Sequence, residues 1–167
     1  MCAGIRDAAN LAWKLSAVLS GAPDELLDTY QSERKENARA FIAKSVELGR
    51  LINQTAHSKI TTGKMASIWP SLGPGLGARV DLGGELAPQP FFKDRRADNL
   101  AMGGFYGLGD GHPDALPQFR SDWPNEHGYI GAIARPDGYA LGAYRSNKER
   151  SALTQIAIAN APAPYID

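Results

Sequence analysis

The chain has 167 residues, enough for one ordinary core, and its 18 Lys plus Arg against 18 Asp plus Glu give a formal net charge of zero. That balance offers no long-range field to phosphate backbones or anionic membranes, so neither nucleic acid nor a membrane is an expected partner. The single cysteine, Cys2, excludes an internal disulfide framework and any CxxC redox or zinc site, and no apolar run reaches the roughly 18 residues of a transmembrane helix, so the expected setting is the cytoplasm.

Ala, Leu, Glu, Lys and Arg dominate the first 64 residues, whereas residues 70–142 hold 14 of the 18 glycines and 8 of the 11 prolines. A helical half followed by a loop-rich half is therefore expected. In the first helix Ile5, Ala8, Ala12, Leu15 and Leu19 recur at three- and four-residue steps, with Leu11 and Val18 widening the stripe and Arg6, Asp7 and Lys14 off it, so this face is expected to pack on something. Gly21 is placed to end that helix in a left-handed conformation, and Pro23 prevents its continuation. Asp24 suits the N-cap of a second helix, whose seam runs Leu27, Tyr30, Arg34, Ala38, Phe41, Ser45, Leu48 and Ile52. The short connection predicts an antiparallel pair.

From Ile68 to Asn125 the density of Gly and Pro leaves room for turns and short strands only. Phe91 and Phe92 are expected to anchor this stretch to the core, and Lys93, Arg95 and Arg96, interleaved with Asp94 and Asp98, read as a wet surface. Tyr129–Ala134 and Tyr139–Ala143 flank "RPDG", with Pro136 suited to turn position i+1 and Gly138 to i+3, which predicts a β-hairpin. After Asn147 one short helix should carry Leu153, Ile156 and Ala157 inward.

Little in the residues themselves announces chemistry. His57, His112 and His127 lack metal-ligand spacing, so no metal is expected. The clusters Gly73-Pro-Gly75-Leu-Gly77 and Gly107-Leu-Gly109-Asp-Gly111 lack the strand and helix frame of a dinucleotide fingerprint. No nucleophile elbow, phosphate loop or paired-carboxylate pattern is present, so no catalytic residue is assigned.

The opening "MCAGIRDAANLAWKLSAVLSGAPDELLDTYQSER" resembles the segment that follows the flavin-contacting loop of FAD-dependent aromatic hydroxylases, of the 3-(3-hydroxyphenyl)propionate hydroxylase and phenol hydroxylase-like kind. The residues that carry the likeness are Met1, Gly4, Ile5, Asp7, Ala8, Asn10, Leu11, Trp13, Lys14 and Leu15, then Leu26, Leu27, Asp28, Tyr30, Glu33 and Arg34. By this resemblance Met1 is internal to a longer enzyme, and the amides at Met1, Cys2, Ala3 and Gly4 lie against the flavin pyrimidine. A helix start suits that role, since it presents unpaired N–H groups and a partial positive charge. Asp7, Asn10, Glu33 and Arg34 read as structural, with Arg34 bonded to Asp7 or to Asn10. "LAPQPFF" at 86–92 and "RPDGYALGAY" at 135–144 resemble landmarks of the thioredoxin-like C-terminal domain of these enzymes, with too few residues between them for a full βαβ unit.

The expected fold is α+β: an antiparallel helix pair from the end of an FAD-binding domain (1–64), a linker (65–85) and a shortened thioredoxin-like region (86–167). The resemblance implies an enzyme using FAD, NADH or NADPH and O2 to hydroxylate a phenolic substrate, with this stretch inactive alone. Expected partners are a second copy or the missing FAD domain. The alternative is a stand-alone interaction or oligomerisation module with Ile5, Leu15, Leu19, Phe41 and Leu48 exposed.

Overall fold

The computed structural model describes residues 2–54, 69–77, 80–110 and 115–162. Helix α1 (Cys2–Leu19) is followed by α2 (Glu25–Gln54). At their junction Ala22 N–H donates to the Ala17 carbonyl and Gly21 N–H to that of Val18, each at 3.0 Å, with Gly21 at φ 103°. This Schellman closure consumes carbonyls the helix end would otherwise leave bare, and it requires a residue that tolerates positive φ. Contacts between the helices run in opposite senses, Lys14 to Thr29, Asn10 to Glu33 and Asp7 to Arg34, so the pair is antiparallel as expected.

The helices do not bury the faces expected of them. Asn10, Trp13, Lys14 and Ala17 are the buried positions of α1, while Ile5 (66% exposed), Leu15 (42%) and Leu19 (87%) face out, with Ala8 and Ala12 beside them. The periodicity gave an amphipathic helix, but most of its apolar stripe is exposed; of that stripe only Leu11 and Val18 are half-buried, with Val18 against the core. On α2 the buried set is Leu26, Glu33, Arg34 and Asn37; Leu27, Tyr30, Ala38 and Phe41 are half-buried, and Ser45 and Leu48 are exposed. Ile52 belongs to the helix, but its side chain lies outside the described residues.

Downstream, β1 (Phe91–Phe92) and β2 (Arg95–Arg96) make a small hairpin, then come α3 (Ala97–Leu100), β3 (Tyr106–Gly109), β4 (Gln118–Phe119), α4 (Trp123–Glu126), β5 (Gly131–Ala134), β6 (Ala140–Tyr144) and α5 (Asn147–Ala159). Phe91 and Phe92 do not anchor the chain: they are 69% and 58% exposed. Two strands of two residues each have no second layer to bury against, so both rings stay in solvent.

The main sheet has the order β4-β3-β5-β6, with β3 parallel to β4 and antiparallel to β5, and β5 antiparallel to β6. Only eight residues, 110–117, join the parallel strands β3 and β4, fewer than the dozen or so of an ordinary crossover. One face buries Ala97, Ala101, Tyr106, Leu108, Phe119, Ala132, Ala134, Ala140 and Ala143. The other packs Phe105, Ile133, Leu141 and Tyr144 against Leu153 and Ala157 of α5 and against Trp13, Ala17 and Leu26 of the helix pair. A register shift between Ile133 and Ala134 puts Ala140 and Ala143 on one face although they are three residues apart.

The β5–β6 hairpin closes as its residues dictate. Gly138 N–H donates to the Arg135 carbonyl at 3.0 Å, with Pro136 at i+1 and Gly138 at φ 80°. Helix α5 starts on Ser146, whose hydroxyl accepts the Glu149 N–H, and carries Leu153 and Ala157 fully inward with Ile156 half-buried.

Candidate flavin-facing helix end and its buried anchor

The first turn of α1 is open. Cys2, Ala3 and Gly4 lie in it, no acidic side chain stands there, Gly4 is exposed, and a Cβ added at Gly4 meets no atom within 4 Å. Its amides have no helical acceptor, since the carbonyls four residues earlier do not belong to the helix. The donor set suits an electron-rich flat edge: several N–H groups at the positive end of an 18-residue dipole, with no side chain at Gly4 to hold a ring away. The residues present therefore fit one side of a flavin site. Met1, and the side chains of Cys2 and Ala3, lie outside the described residues.

Six residues along α1 from Gly4, the inner face turns polar. Asn10 Nδ2 donates to Glu33 Oε2 at 2.9 Å and to Asp137 Oδ2 at 2.7 Å. Lys14 Nζ donates to Glu33 Oε2 at 2.8 Å and to Thr29 Oγ1 at 2.7 Å. Arg135, from the β5–β6 turn, clasps Glu33 with both terminal nitrogens, at 3.0 and 2.8 Å, and bonds Asp137 through Nε and Nη2 at 3.1 and 2.7 Å. The Leu76 amide completes the set, donating to Glu33 Oε1 at 2.8 Å.

Five donors thus converge on one carboxylate inside the protein, where an unpaired charge would be very costly. Burial pushes the Glu33 carboxyl pKa up, but Arg135 and then Lys14 outweigh it and bring it down to about 2. Burial lowers the Lys14 pKa, and Glu33 only partly restores it. For Arg135 burial also acts downward, yet Asp137 and Glu33 more than compensate, so it stays charged. With Lys14 and Arg135 set against Glu33 and Asp137, the formal charges of the cluster cancel.

Gly75 makes room for this arrangement. A Cβ there would collide with the Glu33 carboxylate, and one at Gly77 with the Leu141 carbonyl. The first glycine cluster therefore serves close approach of its loop to α2 and β6. Glycines 107 and 109 of the second cluster lie in β3 itself, one of the two inner strands of the sheet.

A second tie holds the N-terminal half of α1. Arg6 Nη1 donates to the Tyr139 hydroxyl at 3.0 Å, while its guanidinium stacks over Trp69 (4.1 Å to the ring centre) and lies 5.3 Å from that of Phe41. Arg34 Nε donates to Asp7 Oδ1 at 2.6 Å, the first of the two expected pairings. Asn10 bonds Glu33 and Asp137 instead, because Arg34 is turned toward Asp7. Residue patterns missed Lys14, Arg135 and Asp137 as members of a buried cluster. The available signal was a charged pair, Arg135 and Asp137, directly following the apolar strand "GAIA".

Among the described residues no three His, Cys, Asp or Glu side chains gather as a metal site, and no helix is long and apolar enough to cross a membrane. His57 and His112 lie outside the described residues, and His127 is exposed, with Nδ1 2.8 Å from the Trp123 carbonyl.

The model of the FAD binding domain family matches residues 1–45. The chain as a whole is 31% identical to the probable NADH-specific resorcinol 4-hydroxylase of Rhodococcus jostii (strain RHA1), over 98% of its own length and 40% of the relative's. That alignment spans 216 positions, more than this chain has, so the relative carries residues inside the matched span that have no counterpart here. A 3-(3-hydroxy-phenyl)propionate/3-hydroxycinnamic acid hydroxylase of Mycobacterium avium (strain 104) is 53% identical over 41% of this chain and 13% of the relative. By name these relatives are hydroxylases of phenolic compounds, and the chain spans two fifths or less of their length. In fold it matches the OxyS anhydrotetracycline hydroxylase from Streptomyces rimosus at TM-score 0.58 and 21% identity, covering 98% of this chain and 41% of that one. The substrate-free form of the rebeccamycin biosynthetic enzyme REBC matches at TM-score 0.57 and 21% identity, over 95% and 39%. The matching family is described as an FAD binding domain, and its match covers α1 and α2 as far as residue 45.

Proposed function

We propose that this chain supplies the closing helix pair of the FAD-binding domain, and the region after it, in a hydroxylase that acts on a phenolic compound with NADH or NADPH and O2. Residues 1–64 form the helical end of that domain, 65–85 connect, and 86–167 make a shortened thioredoxin-like region. The bound FAD supplies the redox and oxygen chemistry. This chain's own part is to present the amides at Met1, Cys2, Ala3 and Gly4 to the pyrimidine edge of the ring, where a helix N-terminus favours negative charge. No acid, base or nucleophile is assigned to it.

The observation that carries this reading is the coincidence, on one helix, of an unobstructed N-terminal turn with an uncovered apolar stripe, Ile5, Leu15 and Leu19. Both are what a helix shows when the rest of a flavin domain packs against its outer side. The same stripe also suits the second reading, an interaction module that pairs with another chain.

A chromosomal affinity tag placed after Asp167 separates the two. Recovery of a yellow protein that releases FAD and oxidises NADH or NADPH faster with resorcinol or a hydroxyphenylpropionate present supports the hydroxylase. A flavin-free product of 167 residues, bound to a second copy or another chain, overturns it in favour of the module.

A further inference from the structure

Two bolts join the N-terminal half of α1 to the β5–β6 turn. Asn10 reaches Asp137 at 2.7 Å, and Arg6 reaches the Tyr139 hydroxyl at 3.0 Å. Asp137 is itself fixed by Arg135, which is fixed by Glu33 of α2. The other ties at this end run to α2 and Trp69, through Asp7 with Arg34 and through the Arg6 guanidinium over Trp69 and beside Phe41, while the buried apolar residues of α1, Trp13 and Ala17, lie toward its middle and C-terminus. At about 1.5 Å per residue, Asn10 lies about 9 Å along the axis from Gly4. A tilt of α1 at Asn10 therefore moves the first-turn amides directly.

We propose that Arg135, Asp137 and Tyr139 are positioning residues for the N-terminal turn of α1, so that the C-terminal hairpin sets the angle at which the amides of Cys2, Ala3 and Gly4 meet the flavin. The flavin half of this rests on the function proposed above. The coupling half stands on the hydrogen bonds alone. Such an arrangement gives the distal sheet a defined effect on flavin electronics, because the stabilisation of a negative charge by a helix end decays within the first turn and depends on alignment. Arg135 is a positioning residue rather than a catalytic one, since its guanidinium is spent on Glu33, Asp137, the Leu76 carbonyl and the face of Trp13.

The first measurement needs no flavin. Amide hydrogen exchange is followed at residues 5–9 of α1 and at 153–157 of α5, in the wild-type chain, Arg135→Met, Arg135→Lys and Tyr139→Phe. Tyr139→Phe removes one hydroxyl and keeps the ring, so it remains informative where Arg135→Met fails to fold. Phe119→Leu, in the opposite sheet face, is the control for general loosening. Expected is exchange at least several-fold faster at residues 5–9 than at 153–157 in Arg135→Met and Tyr139→Phe, partial rescue in Arg135→Lys, and no selectivity in Phe119→Leu. Equal acceleration of both segments in the hairpin variants overturns the coupling.

The second measurement uses the FAD-loaded protein that carries this chain, and reads the ratio of its affinities for reduced and oxidised FAD from the flavin midpoint potential. Tyr139→Phe should lower that ratio about two- to tenfold, the size of a helix-end contribution, while Phe119→Leu leaves it unchanged. Selective exchange with an unchanged ratio overturns the flavin half alone. A wild-type protein that takes up no FAD overturns the proposed function and the flavin half together, and leaves the exchange result to decide the coupling.

Discussion

The two faces of α1 are reversed relative to those of a surface helix in a self-contained domain. Its inner face carries Asn10 and Lys14 with Trp13 and Ala17, and its outer face carries Ile5, Leu15 and Leu19. A helix normally turns its apolar side to the core because each buried large aliphatic side chain stabilises by about 1.5–3 kcal/mol. Here the apolar side is left uncovered while a lysine is buried completely. The inner contact is therefore specified by hydrogen bonds and charge, and the outer face retains an apolar surface suited to a further layer.

The inner face is where substitution should hurt most. Glu33→Ala leaves Lys14 and Arg135 buried without their shared partner, a change expected to cost about 3–5 kcal/mol in urea denaturation. Acid probes the same group without mutation. The Glu33 pKa falls from an ordinary 4.5 to about 2 on folding, so its contribution is complete above about pH 4.5 and is lost as pH falls toward 2. Urea midpoints between pH 5 and 2.5 should drop more steeply for the wild type than for Glu33→Gln. Parallel curves would remove Glu33 from the account of acid sensitivity.

A matched pair of truncations sharpens the contrast of faces. Trp13→Ala removes an edge contact with Phe105 (5.6 Å between ring centres) and the surface under Arg135, and should cost about 3–5 kcal/mol. Leu15→Ala, two residues on but on the outer face, should change stability by no more than about 0.5 kcal/mol. The order reverses in a second assay. Leu15→Ala, together with Leu19→Ser, should reduce the binding of a hydrophobic dye to the isolated chain, and Trp13→Ala should not. Equal destabilisation by both truncations would mean that the outer stripe is covered within this chain.

The loop that roofs the carboxylate gives a smaller effect. Gly75→Ala drives a methyl group into Glu33 and should cost about 1–3 kcal/mol, because overpacking is relieved only by shifting the loop or the carboxylate. The loss should shrink in a Glu33→Ala background, which would identify the clash rather than helix or turn propensity as its cause.

Which of these features could be read from the residues follows from how local each one is. Gly21 with Pro23, the "RPDG" turn and the inward set of α5 depend on neighbours within a few positions, and each folds as its composition implies. The inner face of α1 could not be found that way. Periodicity locates a stripe but does not say whether anything covers it, and Ile5 and Leu15 are exposed. Glu33 and Arg135 are 102 residues apart, and each read alone looks like an ordinary surface charge. Phe91 and Phe92 misled for the related reason that aromatic character was weighed without asking whether a second layer existed to receive it.

The smallest expected effect belongs to Arg34, where two terms oppose. Its Nε bonds Asp7 Oδ1 at 2.6 Å, but Asp7 is more than one third exposed and can be resolvated when the partner is lost. Its Nη1 and Nη2 are buried and have no hydrogen-bond partner among the described residues, a desolvation cost that the folded chain already bears. Arg34→Met keeps the length of the side chain, gives up the one bond and relieves both unpaired groups, so the urea-derived change should stay within about 1 kcal/mol. Arg34→Ala, which also leaves a cavity between the helices, should be clearly worse. If methionine were as damaging as alanine, the charge of Arg34 rather than its volume would be what the helix interface requires, and the polar character of α1's inner face would extend one turn nearer to its N-terminus.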